Sequence, residues 1–125
     1  MATAFLYSCS KDVGQLTPST SQTTQQQLPS VVSFSNDIVP IFNSSCNNNP
    51  VCHTASYHAG TLDLAPLSAY NSLFAKHQVD TLNPSGSNLV IVINNGSMPL
   101  PPNMSLTNYQ QQLILKWIQQ MAKNN

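Results

Sequence analysis

Two cysteines and a histidine stand together in the run Cys46-Asn47-Asn48-Asn49-Pro50-Val51-Cys52-His53. Thiols so placed have three chemistries open to them. They can oxidise to a disulfide that closes a small loop. They can bind zinc with His53 or His58 as thiolates, although adjacent Cys52 and His53 make chelation of one ion awkward. Or they can add across the two vinyl groups of a haem, in which case a histidine next to the second cysteine is forced beneath the iron. Two residues usually separate the cysteines of a haem-attachment motif; here five do. The wider loop can bulge outward without moving Cys52 and His53 relative to each other. The remaining histidines are His58, too near His53 in sequence to reach the other face of a haem, and His77, at the end of an expected helix.

Placing such residues requires a folded frame, and the hydrophobic pattern is helical. Ser35 or Asn36 is expected to cap a first helix carrying Phe34, Ile38, Ile41 and Phe42, with Asp37 in the favourable first turn and Pro40 tolerated there. A second helix is expected over 68–77, with Leu67, Tyr70, Phe74 and Leu73 inward. A third runs over 87–94 and stops at Asn95-Gly96, although its Leu-Val-Ile-Val-Ile run alone reads as a strand. The last helix is the clearest. Thr107 and Gln110 form a capping box, and Leu106, Tyr109, Leu113, Ile114, Trp117 and Met121 make one apolar stripe. Trp117 belongs to the core, against the first helix, with an indole N–H available to a polar partner. The fold class expected is all-α.

Composition narrows the function. The 125 residues suit one compact domain, and only 6% are charged: four Lys and four Asp, without Arg or Glu. Nucleic acid is therefore excluded as a partner, because neutralising phosphates takes clusters of Lys and Arg. The polar surface is Asn, Gln, Ser and Thr, which suits a protein working outside the cytoplasm. No stretch of 18 or more apolar residues is present to span a membrane as a helix. Residues 1–9 resemble the end of a bacterial lipoprotein signal, with Leu6 three before Cys9 and Ser8 beside it. On that reading Cys9 carries lipid. Residues 10–32 are a Ser/Thr/Gln-rich tether too polar to offset its own ordering entropy, and 33–125 form the domain.

The run Ser33-Phe34-Ser35-Asn36-Asp37-Ile38-Val39-Pro40-Ile41-Phe42 closely resembles the opening of a family of bacterial cytochrome c domains. The resemblance continues through Gly60-Thr61-Leu62-Asp63-Leu64, Ser68-Ala69-Tyr70 with Leu73, Pro84-Ser85-Gly86-Ser87-Asn88-Leu89, Met98-Pro99, and Leu106 leading to Trp117-Ile118. It covers nearly all of 33–122, in order. Two departures stand out: the wider cysteine spacing, and Met121-Ala122 where the family has Gly-Ala. The resemblance implies a cytochrome c-like helical domain around one haem c, attached through Cys46 and Cys52, with His53 as one axial ligand. It implies Met98 as the second, presented by a loop that Pro99, Pro101 and Pro102 stiffen; His77 is the alternative distal ligand. Met104 and Met121 are assigned to packing or surface.

The function so implied is one-electron transfer with redox partner proteins, by a carrier rather than an enzyme. Its expected location is the periplasm or cell surface, membrane-anchored through Cys9. Two alternatives stand beside it. One is a haem-free, disulfide-bonded surface or periplasmic interaction module. The other is a haem protein whose open iron binds gas or performs catalysis.

Overall fold

The computed structural model describes residues 26–125. Cys9 and most of the expected tether lie outside them. The described residues hold four α-helices joined by loops and short tight turns, with no strand among them. No helix among them is long and apolar enough to cross a membrane.

The chain enters the domain through a π-helical turn, Phe34–Ile38, which leads directly into helix α1, Val39–Ser45. Ser33 caps it, in place of the expected Ser35 or Asn36. Its backbone is extended, its hydroxyl accepts from the Asn36 N–H at 3.2 Å, and its own N–H donates to the Asp37 carboxylate at 2.7 Å. Two groups satisfied reciprocally at Ser33 outcompete a cap further along. Pro40 falls in the first turn of α1, where no intrahelical N–H is needed.

Helix α2, Ala69–Ala75, buries Ala69 and Leu73 and ends in a Schellman motif. The Gln78 N–H donates to the Leu73 carbonyl at 2.8 Å and the His77 N–H to that of Phe74 at 3.1 Å, with His77 itself in the left-handed region at φ 52°. Phe74, expected inward, is 36% exposed, and Leu67, also expected inward, is 98% exposed. Leu67 precedes the helix, so the spacing that turns Leu73 inward does not govern it.

Helix α3, Asn88–Asn94, is the β-branched run. Leu89, Val90 and Ile93 are buried while Ile91 faces outward, a helical division that strand alternation would not produce. Gly96 follows in the left-handed region at φ 77° and turns the chain into the next loop.

Helix α4, Asn108–Gln119, carries the capping box of Thr107 and Gln110 and buries Leu113, Ile114, Trp117 and Ile118. Its end is a second Schellman motif: Ala122 N–H to Trp117 carbonyl at 2.9 Å, and Met121 N–H to Ile118 carbonyl at 3.0 Å. Met121 is therefore left-handed, at φ 69°, as is Ala122 after it at φ 44°, and Met121 is 60% exposed rather than part of the buried stripe. Ala122 is the residue that turns inward.

Around Trp117 the first turn, α2 and α4 converge on an aromatic cluster. The Phe34 ring centroid lies 5.0 Å from that of Trp117, 5.3 Å from Tyr70 and 6.3 Å from Phe42. The polar ends of these rings are satisfied by backbone: Tyr70 donates to the Ala122 carbonyl and the Trp117 indole to that of Lys123, each at 2.9 Å. Residues before 33 join this side too. Val32 is buried, and Gln120 clamps the strand-like approach by accepting from the Val32 N–H at 2.9 Å and donating to the Ser30 carbonyl at 2.7 Å. The packed region thus begins before Ser33, because the single long amide of Gln120, the residue that ends α4, satisfies the incoming backbone.

Candidate functional site

Cys46 is the residue on which α1 ends, and its N–H donates to the Phe42 carbonyl at 2.8 Å. The five residues up to Cys52 form a closed loop. The Cys46 carbonyl accepts from the His53 N–H at 3.1 Å, so the backbone at the two ends of the motif is joined directly. Within the loop Cys52 N–H reaches the Asn49 carbonyl at 2.9 Å. The wide spacing is thereby absorbed as an outward bulge over a short crossing.

His53 is held on both sides. Its carbonyl accepts from the Leu64 N–H at 2.8 Å, and its ring Nδ1 lies 3.2 Å from the Leu62 carbonyl. A carbonyl can only accept, so this contact favours the tautomer with the proton on Nδ1, and in the neutral ring Nε2 then keeps its lone pair for an electrophile or metal. Asn47 braces the same region, its side-chain amide donating to the Leu64 carbonyl at 2.7 Å.

Cys46, Cys52 and His53 line one cavity of about 260 Å³, and Met98 lines it too. Helix α3 contributes Leu89, Val92 and Ile93 to its wall, the segment after His58 contributes Leu62 and Leu64, and the loop after Gly96 contributes Met98, Pro99 and Leu100. Met98 is fixed at the backbone by its N–H to the Val92 carbonyl, 2.9 Å, directly off α3. Among the described residues, no Lys or Asp lines the cavity.

Both cysteines are unbridged thiols. Burial pushes the Cys46 thiol up to about 12, and its neighbour Cys52 adds to the rise. It therefore stays protonated at neutral pH. Cys52 meets a single polar side chain, the Asn103 amide at 4.0 Å, which also donates to the Ser45 carbonyl at 3.3 Å.

The structure thus gathers Cys46, Cys52, His53 and Met98, four residues drawn from a 53-residue span, at one place. It does not bring His77 there: that residue is exposed at the end of α2 and absent from the cavity wall. His58 is exposed as well, its ring engaged by the Ala55 carbonyl and lying 3.8 Å from the Asp63 carboxylate. Among the described residues no three His, Cys, Asp or Glu side chains are grouped as a metal-ligand set. The Trp117 indole is spent on the Lys123 carbonyl. Met104 and Met121 are exposed, and Cys9 lies outside the described residues. Asn47, Asn103 and the Leu62 carbonyl were not identified from the sequence. Each acts from a loop through one or two hydrogen bonds, and loops carry no periodic signal.

No family model, curated protein or solved structure matches the chain.

Proposed function

We propose that the chain is a monohaem c-type cytochrome, a one-electron carrier outside the cytoplasm, built on a cytochrome c-like variant of the all-α fold. The observation that carries this reading is the meeting of Cys46, Cys52, His53 and Met98 on the wall of one apolar cavity. The donor chemistry fits a haem: two thiols for the vinyl groups, an imidazole with Nε2 free, a thioether, and aliphatic walls for a macrocycle. Such a group would supply the Fe(III)/Fe(II) couple, and His/Met ligation favours a higher potential than other ligand sets.

The chain's own residues do the rest. Leu62 orients the His53 ring through Nδ1, and a second bond at the His53 carbonyl stops its backbone from swinging. The Val92 carbonyl anchors Met98 while Pro99, buried beside it, limits the loop's freedom. Leu89, Val92 and Ile93 exclude water from the cavity wall, which disfavours the more charged oxidation state. With His53 and Met98 both holding a haem iron, no position would be left for a substrate, which suits a carrier. Anchorage through a lipid on Cys9 and exchange with redox partner proteins at a membrane belong to the same proposal. Tethering would raise the partners' effective concentration where a nearly uncharged surface cannot steer them.

The test is maturation of the full chain in cells with intact haem-attachment machinery. Haem is expected to survive denaturing electrophoresis and to give a c-type pyridine haemochrome, and Cys46→Ser with Cys52→Ser together should abolish it. Absence of Soret absorption in the wild-type protein would overturn the reading in favour of a haem-free module. His53→Ala should leave little folded holoprotein, and normal recovery would count against the ligand assignment.

A further inference from the structure

Met98 and Cys46–Cys52 belong to separate loops, and the contacts between those loops decide how firmly the cavity is closed. Asn103, half-buried on the loop that follows Met98, makes two contacts across the gap. Its amide nitrogen lies 3.3 Å from the Ser45 carbonyl and 4.0 Å from Cys52 Sγ. Its own backbone is fixed by the N–H donating to the Leu100 carbonyl at 3.1 Å, which ties the latch to the turn beginning two residues past Met98. Both acceptors flank the cysteine motif: one precedes Cys46 and the other is the second thiol. Asn103 itself lines the cavity between them.

We propose that Asn103 is a positioning residue, a latch that holds the Met98 loop on the cysteine loop and so sets how tightly Met98 is presented to the cavity. The proposal rests on the functional reading above only in what Met98 is presented to. Sulfur accepts a hydrogen bond weakly as thiol or thioether alike, and the Ser45 carbonyl is unaffected by attachment. The latch therefore operates before and after the thiols react. An amide is the side chain suited to the task, since one planar NH₂ offers two donors to two acceptors. A carboxylate of the same shape has none.

The experiment compares wild type with Asn103→Asp, which keeps the shape and loses both donors, Asn103→Ala, and Asn103→Gln, which restores an amide. Two readouts are taken. In the haem-free chain, iodoacetamide labelling of Cys52 is followed at neutral pH with Cys46 replaced by Ala in every variant. Loss of two modest hydrogen bonds is expected to raise the labelling rate about fivefold to tenfold in Asn103→Asp and Asn103→Ala, with partial return in Asn103→Gln. In the matured protein, imidazole is titrated into the ferric form. Its apparent affinity should rise by a similar factor of about ten as Met98 is more easily displaced, while the wild type and Asn103→Gln keep the weak red-end band of thioether–iron(III) ligation. Unchanged Cys52 labelling in both donor-free variants would overturn the latch. So would unchanged imidazole affinity in protein that carries haem. A wild-type chain that matures without haem sinks the functional reading instead, and the labelling experiment then decides the latch alone.

Discussion

The two ends of the domain are built by different means. Around Trp117, rings from three elements fill the space between them, each polar tip ends on a backbone carbonyl, and the flanking chain is bonded over the top. Around His53, aliphatic side chains of α3 and two irregular loops face a cavity of about 260 Å³. Its loops are braced from behind by Asn47, by the Leu62 carbonyl and by Asn103, while Leu62, Leu64, Leu89 and Ile93 join its wall to the buried core. The lesson is that one end is completed by its own side chains, and the other is a preformed shell. A small domain is marginal on its own core, so an apolar group bound within the shell would add buried area where the chain lacks it.

The largest effect is expected at Trp117. Trp117→Ala removes the largest fully buried side chain and should cost about 3–5 kcal/mol, enough to leave the haem-free chain largely unfolded. Urea denaturation followed by circular dichroism checks it. A loss under about 1 kcal/mol would mean that the aromatic end is not the domain's independent core.

At the other end, Met98→Ala in the matured protein should abolish the red-end band, lower the potential and open the iron to added imidazole. His77→Ala should be nearly silent, as its left-handed place in the α2 Schellman motif faces solvent. The reverse pattern would move the ligand role to His77. Silence in both would indicate an iron that is naturally open.

A third effect sharpens the difference between shell and core through pH. Burial holds the Cys46 thiol up at about 12 against an ordinary value of 9.0. Above the lower of these the unfolded chain releases a proton that the folded chain keeps, so stability is full below about pH 9 and declines toward about pH 12. Denaturation midpoints of the haem-free protein should fall over that window, and Cys46→Ala should flatten the slope. In the matured protein the slope should be absent, because a thioether has no proton to lose.

The smallest effect is a gain. Met121 pays for a left-handed backbone at the end of α4 with its side chain 60% exposed, so Met121→Gly should stabilise the domain by roughly 0.5–1 kcal/mol. The change lies at the aromatic end and should leave Cys52 labelling untouched. A loss of stability would show that Met121 contributes packing that outweighs its conformational strain.

Local chemistry made much of this legible beforehand. The period of Leu113, Ile114, Trp117 and Ile118 and the Thr107–Gln110 box define α4 through contacts within four residues, and such contacts form wherever the helix sits. The Cys52-His53 adjacency is equally local: no fold can separate neighbours in the chain. The helix expected over 87–94 is present as α3 although its β-branched run alone reads as a strand; packing on α4 and the cavity suits the helical division. The exposure of Leu67 and Met121 was hidden for a related reason. Each extends a periodic stripe past a helix end, where the rotation that carried the stripe has stopped.

By itself, then, the sequence determined the helices with strong caps, the near-absence of charge and the pairing of a histidine with its neighbouring thiol, because all of these are set by residues close in the chain. Tertiary structure alone decided that Met98 shares a cavity with Cys46, Cys52 and His53, that His77 does not, and that Leu62, Asn47 and Asn103 hold the shell in place. The bracing contacts join residues apart in the chain, chiefly through hydrogen bonds to backbone carbonyls. Every residue supplies such a carbonyl, so residue type carries no mark of which one will be used.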